Sequence, residues 1–157
     1  MEKQRQDGPE EVSLVRFTGS VNERLVMENI LHQGLKPQVI IDLKNVSRIN
    51  STGTQDFIKG IREISHGRKI MLSGCSMAMV QQFNMIDNMT QGCRILSFYA
   101  PYYCNSCDAV FQMEIDVEKE EQALNNFQAP SQKCRKCGEP LEFDDIETKY
   151  FHFLQKK

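Results

Sequence analysis

The order of hydrophobic and polar positions in the first hundred residues switches between the repeat of a strand and that of a helix. Residues 12–17 alternate and residues 38–43 form a short apolar run, so both are predicted strands, the second one buried. Residues 22–34 have helical spacing between them, and we expect Gly19 to end the first strand and Gly34 to end the helix. The apolar face of this predicted helix consists of Val26, Met27, Ile30 and Leu31.

The same order of elements continues after residue 49. Phe57, Ile58, Ile61 and Ile64 stand at positions i, i+1, i+4 and i+7, the stripe of a helix that packs on a sheet. Residues 68–74 then have the pattern of a strand. Because a strand, a crossover helix and a second strand form a parallel, right-handed βαβ unit, we expect this strand to pair in parallel with the buried one before it.

The pattern changes character near residue 100. A helix over 75–87, with Met79, Phe83 and Ile86 facing inward, and a strand over 94–99 precede the change. The elements that follow are short and anchored by cysteines. We therefore predict a frayed tail over 1–9, an α/β domain over 10–100 that closes its own core, and a small β domain over 101–157 with a polar insertion at 118–132.

Composition and charge limit the functions that this chain can have. It has 157 residues, 40% of them hydrophobic, and a formal charge of −2, which is ordinary for a soluble globular protein and gives no attraction to nucleic acid or anionic membranes. No apolar run approaches the roughly 18 residues of a membrane span, and the first ten residues are too polar for a secretory signal. A cytoplasmic location is the expectation.

The chain has six cysteines in an uneven pattern. Cys75 and Cys93 stand alone, whereas two C-x-x-C pairs can each offer two sulfurs to one metal ion from a tight turn. These pairs are Cys104/Cys107 and Cys134/Cys137. A thioredoxin-type redox motif would stand at the start of a helix, but these pairs stand in predicted hairpin turns. The pattern indicates a four-cysteine zinc ribbon with structural zinc, since four thiolates leave no open position for a substrate.

The strands of this ribbon are predicted from short alternating segments. Residues 109–117 alternate after the first pair, and residues 140–143 and 149–154 can supply their partners. From residue 104 to the last residue there are seven Lys or Arg against eleven Asp or Glu. Phosphate binding needs clustered cations, so the charge favours a protein contact over a nucleic-acid contact for the ribbon.

A cluster of hydroxyl and amide side chains stands before Gly53. Asn50, Ser51 and Thr52 are all favoured N-cap residues, and we expect one of them to cap the helix that follows. A nucleophilic role for Ser51 or Thr52 would need a base, but none of the three histidines is linked to this turn by a motif. These histidines are His32, His66 and His152. There is also no G-x-S-x-G elbow and no phosphate-binding loop, so we predict that the protein is not an enzyme and has no small-molecule substrate.

Residues 38–74 resemble the STAS domain, the fold of bacterial anti-sigma-factor antagonists. In that family a strand ending in Asp-Leu is followed by Asp-Ser-Ser-Gly at the start of a helix, and then by Gly-Arg-Lys and a strand. Here the strand ends at Asp42, "NSTG" occupies residues 50–53, and "GRK" begins at Gly67. The resemblance covers residues 10–100 and implies an α/β fold with a mixed sheet; a STAS domain followed by a zinc ribbon resembles an arrangement found in some bacterial proteins.

The resemblance also implies a function. In the family the second hydroxyl of the motif is phosphorylated by a partner kinase that is also the anti-sigma factor, which by position points to Thr52, with Ser51 as the less favoured site. Asn50 replaces the family's aspartate, and Thr52 replaces its more usual serine. We expect residues 50–53 (Asn50, Ser51, Thr52 and Gly53) to bind a kinase or anti-sigma-like protein. The rival hypotheses are a constitutive scaffold in a signalling assembly, without a phosphoryl switch, and a nucleic-acid-binding accessory protein that acts through its ribbon.

Overall fold

The computed structural model describes residues 12–31 and 34–155, so the predicted tail over 1–9 and His32 lie outside the described residues. The strands are β1 (Val12–Val21), β2 (Gln38–Ile49), β3 (Lys69–Ser73), β4 (Cys93–Ile95), β5 (Ser97–Cys104), β6 (Ala109–Asp116) and β7 (Glu142–Phe143). The helices are α1 (Glu23–Val26), α2 (Ser51–Ile64), α3 (Met77–Met85), α4 (Glu121–Asn125) and α5 (Glu147–Tyr150). A π-helical turn over Met27–Leu31 extends α1, and a 3-10 turn over His152–Gln155 follows α5.

The described residues form two sheets. The first has the order β1-β2-β3-β4, and all three of its strand pairs are parallel, which confirms the parallel pairing predicted for the βαβ unit. The second has the order β6-β5-β7, and both of its pairs are antiparallel. The sheet of the α/β part is therefore parallel rather than mixed, and antiparallel pairing is found in the second sheet. A parallel bridge between Cys75 and Phe98 joins the two sheets.

Two predicted strand ends differ from the structure. Gly19 does not end β1: it has φ +84°, and the strand continues to Val21 through two shifts in its register with β2. The predicted strand over 94–99 is divided at Leu96, because β4 pairs with β3 before this residue and β5 enters the second sheet after it. A bulge at a glycine shifts the register of a strand without ending it. At Leu96 the chain bends and leaves the first sheet for the second.

The helices of the first hundred residues pack on one side of the parallel sheet. The predicted stripe of α2 is buried in full, and Phe57 meets Phe17 of β1 edge to face with ring centroids 6.2 Å apart. Val26 and Ile30 are buried as expected, but Met27 is 41% exposed, because the chain changes from α-helical to π-helical geometry at this residue and the apolar stripe rotates. In the next helix, Met79 and Phe83 are buried, whereas Ile86 is partly buried and lies just beyond the helix end.

An aromatic cluster lies between the two sheets. Phe98 contacts Phe151 and Phe153 with centroid distances of 5.9 and 5.2 Å, and Phe153 also contacts Phe83 of α3 at 5.8 Å. The predicted domain boundary near residue 100 falls inside β5, and residues from both sides of it belong to one hydrophobic cluster. The predicted insertion over 118–132 contains α4, whose Leu124 is 2% exposed and reaches the same cluster.

Within residues 12–31 and 34–155, no helix combines the length and the apolar character that a bilayer crossing requires. The longest, α2, has 14 residues.

Candidate functional site

The four cysteines of the two C-x-x-C pairs come together at one end of the second sheet, and their sulfur atoms all lie within 4.8 Å of one another. The sulfur of Cys104 is 3.5 Å from that of Cys137, and the sulfur of Cys107 is 3.8 Å from that of Cys134. Metal–sulfur bonds of about 2.3 Å at the corners of a tetrahedron place sulfurs about 3.8 Å apart. The arrangement therefore fits one four-coordinate metal ion.

Each cysteine pair stands in a turn of the same kind. The residue directly after each pair has a positive φ, +52° at Asp108 and +79° at Gly138. In both turns a backbone N–H donates to the sulfur of the first cysteine: Cys107 N–H to Cys104 and Lys136 N–H to Cys134, at 3.4 Å each. These bonds orient the sulfurs toward a common point, as ligand positioning around a metal requires.

The electrostatics of the cluster differ from one thiol to another. Backbone N–H groups of Cys137 and Lys136 point at the sulfur of Cys134 and lower the pKa of this thiol to about 6. Hydrogen bonds with the sulfurs of Cys137 and Cys134 raise the pKa of the Cys107 thiol to about 12. The backbone N–H groups thus favour the thiolate of Cys134 that metal coordination needs, and a bound metal ion would displace the protons that remain on the other sulfurs.

The other candidate ligands lie outside this cluster. Cys75 is fully buried at the bridge between the sheets, and burial raises the pKa of its thiol well above the ordinary value. Burial also raises the pKa of Cys93 to about 12. His152 is exposed in the 3-10 turn and does not belong to the group that could hold a metal.

The strands expected around the cysteines are confirmed only in part. Residues 109–116 form β6, and β7 pairs with β5 through Tyr102↔Phe143 and Tyr103↔Glu142. Residues 149–154, expected as a strand, instead form the end of α5, a turn at Phe151 and the start of the 3-10 turn. Their aromatic side chains alternate along the sequence, but the helical conformation allows Tyr150, Phe151 and Phe153 all to be buried.

The hydroxyl cluster lies where the carboxyl ends of β1 and β2 meet the start of α2. Asn50 is the N-cap: its side-chain oxygen accepts from the Gly53 N–H at 2.8 Å, and its carbonyl accepts from the Thr54 N–H at 2.8 Å. The expectation that one of the three residues caps the helix is thereby confirmed. Ser51 and Thr52 are exposed, and among the described residues their side-chain hydroxyls have no hydrogen-bond partner.

Gly53 is required by a close approach between α2 and β1. A Cβ atom at this position would lie 2.1 Å from the carbonyl oxygen of Val21, so only glycine fits. Gly53 is buried by its own chain and its N–H is already bonded. It does not offer an open backbone to a partner, and the exposed part of the predicted site consists of Asn50, Ser51 and Thr52.

The sequence did not reveal the buried residue that connects this site to α3. Thr54 is 2% exposed, and its hydroxyl donates to the side-chain carbonyl of Gln82 on α3 at 3.1 Å. This bond connects the first turn of α2 to α3. Its partner is 28 positions away, so no local pattern could have indicated it.

The whole chain was also compared with protein-family models and with curated proteins, and neither comparison found a match. The resemblance to the STAS domain stays a prediction that rests on residues 38–74.

Proposed function

We propose that this protein is a non-catalytic regulator of the anti-sigma-factor-antagonist type. A STAS-like domain binds a kinase or anti-sigma-like protein at the start of α2, and phosphorylation of Thr52 releases that partner. Zinc held by Cys104, Cys107, Cys134 and Cys137 stabilises the C-terminal ribbon. The protein acts in the bacterial cytoplasm, where thiols remain reduced and free to bind metal.

The observation that carries this proposal is the contrast between Thr52 and its neighbours. Asn50 and Gly53 fix the first turn of α2 through the cap bond and the contact with Val21, while the hydroxyl of Thr52 stays exposed beside them. A kinase can therefore reach this hydroxyl without opening the fold. A phosphate at a helix start is tolerated by the positive end of the helix dipole, yet it adds a charge of about −2 to a docking surface.

The metal is proposed to be zinc because of the donor set. Four thiolates suit zinc or iron, and zinc in such sites is structural. Elemental analysis of protein purified without chelator should give about one zinc per chain. One iron per chain, with the visible absorption of an iron–thiolate centre, would replace the zinc assignment, and the absence of any metal would remove the site.

The partner proposal is tested by adding negative charge at Thr52. We expect Thr52→Glu to lose capture of the physiological partner from cells of the source organism, and Thr52→Ala to retain it, because only the acid introduces repulsion and desolvation at the contact. Gln55→Glu is the matched control: Gln55 is also exposed on α2, and the substitution adds the same charge one turn further along.

All three variants should melt like the wild type, since both positions are exposed and the added negative charge of the two Glu variants is favourable near a helix N-terminus. Phosphopeptide mass spectrometry on the protein from its own cells identifies the modified residue. If Thr52→Glu captures the partner as well as the wild type does and no phosphate is found on Thr52 or Ser51, the constitutive scaffold becomes the better hypothesis. Salt-dependent binding of DNA or RNA would favour the nucleic-acid alternative.

A further inference from the structure

Among the described residues, helices cover only one face of the parallel sheet. Strand register places three rows of side chains on the other face. The rows are Val12–Gln38–Lys69, Leu14–Ile40–Met71–Arg94 and Arg16–Asp42–Ser73. None of these residues is buried, whereas Val15, Phe17, Val39, Ile41, Ile70 and Leu72, on the opposite face, all are. We name the uncovered side the open face.

An uncovered face is unusual for parallel strands, which are normally packed on both sides. The middle row of the open face is apolar over three strands, and Leu14 is 54% exposed. Ile40 and Met71 are partly exposed in the same row. An apolar row with polar rows on both sides is typical of a surface that another molecule covers.

The open face continues from the first sheet onto the second. The Gly74 N–H, directly after β3, donates to the Ser97 hydroxyl at 2.7 Å, and that hydroxyl donates to Glu114 of β6 at 2.9 Å. The Asp42 carboxylate lies against Gly74, since a Cβ there would be 3.3 Å from its oxygen. With φ +57°, Gly74 keeps this junction free of a side chain. The two sheets therefore share one outer surface.

The second half of the open face has a different chemistry. Register places Tyr99 opposite Glu114, and Tyr103 opposite both Val110 of β6 and Glu142 of β7. Val110 is 54% exposed, and both tyrosines are partly exposed. This half thus offers apolar and aromatic surface of its own.

The two halves carry opposite charge. The first-sheet half has Arg16, Lys44, Lys69 and Arg94 against Asp42, which forms an ion pair with Arg16 at 3.5 Å. The second-sheet half has Glu114, Asp116 and Glu142, with Arg135 close enough to act on Tyr99. We name these halves the basic end and the acidic end.

We propose that the open face binds a second copy of this chain about a twofold axis, so that each basic end packs against the acidic end of the other copy. The axis makes both contacts equivalent, as in an isologous dimer, and brings the Leu14–Ile40–Met71 row onto Tyr99, Tyr103 and Val110 of the partner copy. The segment 1–11 has no large apolar side chains except those of Met1 and Pro9, which favours a second copy over this segment as the cover.

The size of the open face limits the area that the contact can bury. Across the face, β1, β2, β3, the β4–β5 segment and β6 occupy five strand positions. At about 4.8 Å per strand and about six residues at about 3.3 Å each, they span roughly 24 by 20 Å, or about 480 Å² of flat area. A standard interface buries about 800 Å² per partner. The face is therefore smaller than a standard interface, and we expect a reversible dimer.

Sedimentation equilibrium of the full chain from about 5 to about 500 µM tests the proposal directly. We expect a reversible monomer–dimer equilibrium in the wild type. Lys44→Glu/Lys69→Glu makes both ends acidic, Glu114→Lys/Glu142→Lys makes both ends basic, and each should raise the dimer Kd at least about tenfold. A mixture of these two variants should form a heterodimer, because the two acidic ends of one variant then pack against the two basic ends of the other.

Lys59→Glu/Arg62→Glu makes the same charge change as the first variant on the exposed side of α2 and should leave the dimer Kd unchanged. Leu14→Ser changes no charge and should also weaken the dimer. It tests the interface independently if one of the charge variants melts at a lower temperature than the wild type. A wild type that stays monomeric, variants that dimerise like it, or a mixture without heterodimer would each overturn the proposal. A dimer that forms only after deletion of residues 1–11 would overturn it too, since that segment would then be the occupant.

Discussion

The parallel-sheet region, residues 12–95, and the cysteine region, residues 97–155, keep their strands in place by different means. In the first, three helices bury an apolar stripe each against adjacent strands, with Phe57 on Phe17 as one such contact. In the second, short strands are tied at one end by the four-cysteine cluster and at the other by the aromatic cluster around Phe98. A region with few regular elements can thus be ordered by two anchors instead of a core of its own.

The comparison also shows that the anchors are not equivalent. The cysteine cluster holds only turns of its own region, whereas Phe153, which contacts Phe98 within that region, also contacts Phe83 of the parallel-sheet region. The metal centre is therefore a local anchor, and the aromatic cluster belongs to both regions. Experiments that remove one anchor at a time separate these roles.

The largest effect is expected from removing the whole cysteine region. The sequence predicts that residues up to about 100 fold alone. The shared hydrophobic cluster predicts instead that a chain ending at residue 96 does not fold, because it loses Phe98, Phe151 and Phe153 from one side of its core. Thermal unfolding followed by circular dichroism distinguishes the two predictions. A cooperative transition near that of the full chain would show that the parallel-sheet region closes its own core.

A single substitution in the aromatic cluster should have the next largest effect. Phe98 is fully buried, so Phe98→Ala should lower the free energy of unfolding by about 3–5 kcal/mol through lost burial and a cavity. Ile146→Ala, at a position of the same region that is 62% exposed and outside the open face, is the control and should change it by less than about 0.5 kcal/mol. Denaturant titration measures both, and similar values for the two variants would contradict the assigned role of Phe98.

Removal of the metal should affect one region more than the other. Cys134→Ser, or treatment with a chelator, should abolish metal binding and unfold the turns around residues 104–109 and 132–140, because binding energy at such sites is largely folding energy. Hydrogen exchange should rise there while the amides of Val39 and Ile41 stay protected. Cys93→Ser should leave the metal content unchanged. Equal loss of protection in both regions would mean that the centre is not a local anchor.

The smallest of these effects concerns the cap of α2. Asn50→Ala removes the acceptor of the Gly53 N–H and should cost about 1 kcal/mol of stability. Ser51→Ala, one residue later and exposed, should cost less than about 0.5 kcal/mol. Denaturant titration again gives both values. If the two variants are equally stable, the cap bond contributes nothing measurable.

Features that depend on local spacing were predictable from the sequence. The stripe of α2 needs only its own residues, and a C-x-x-C pair encodes its own turn, so the buried helix face and the four-cysteine cluster follow from the pattern. The capping role of the residues before Gly53 has the same local origin.

Features that depend on distant partners were not predictable. The contact that requires glycine at position 53 is with Val21, and the bond that fixes Thr54 is with Gln82. Residues 149–154 alternate like a strand, but contacts of Phe151 and Phe153 with Phe98 favour a helical turn. Tertiary packing overrides a short local pattern in such cases.

The aromatic cluster has a consequence for the synthesis of the chain. Phe83 and Phe98 leave the ribosome well before Phe151 and Phe153, the side chains that cover them. During that interval the nascent parallel sheet exposes an uncovered aromatic surface, and contacts between residues so far apart in sequence also close slowly. The time needed to translate the segment between β6 and α5 therefore sets how long this aromatic surface stays uncovered.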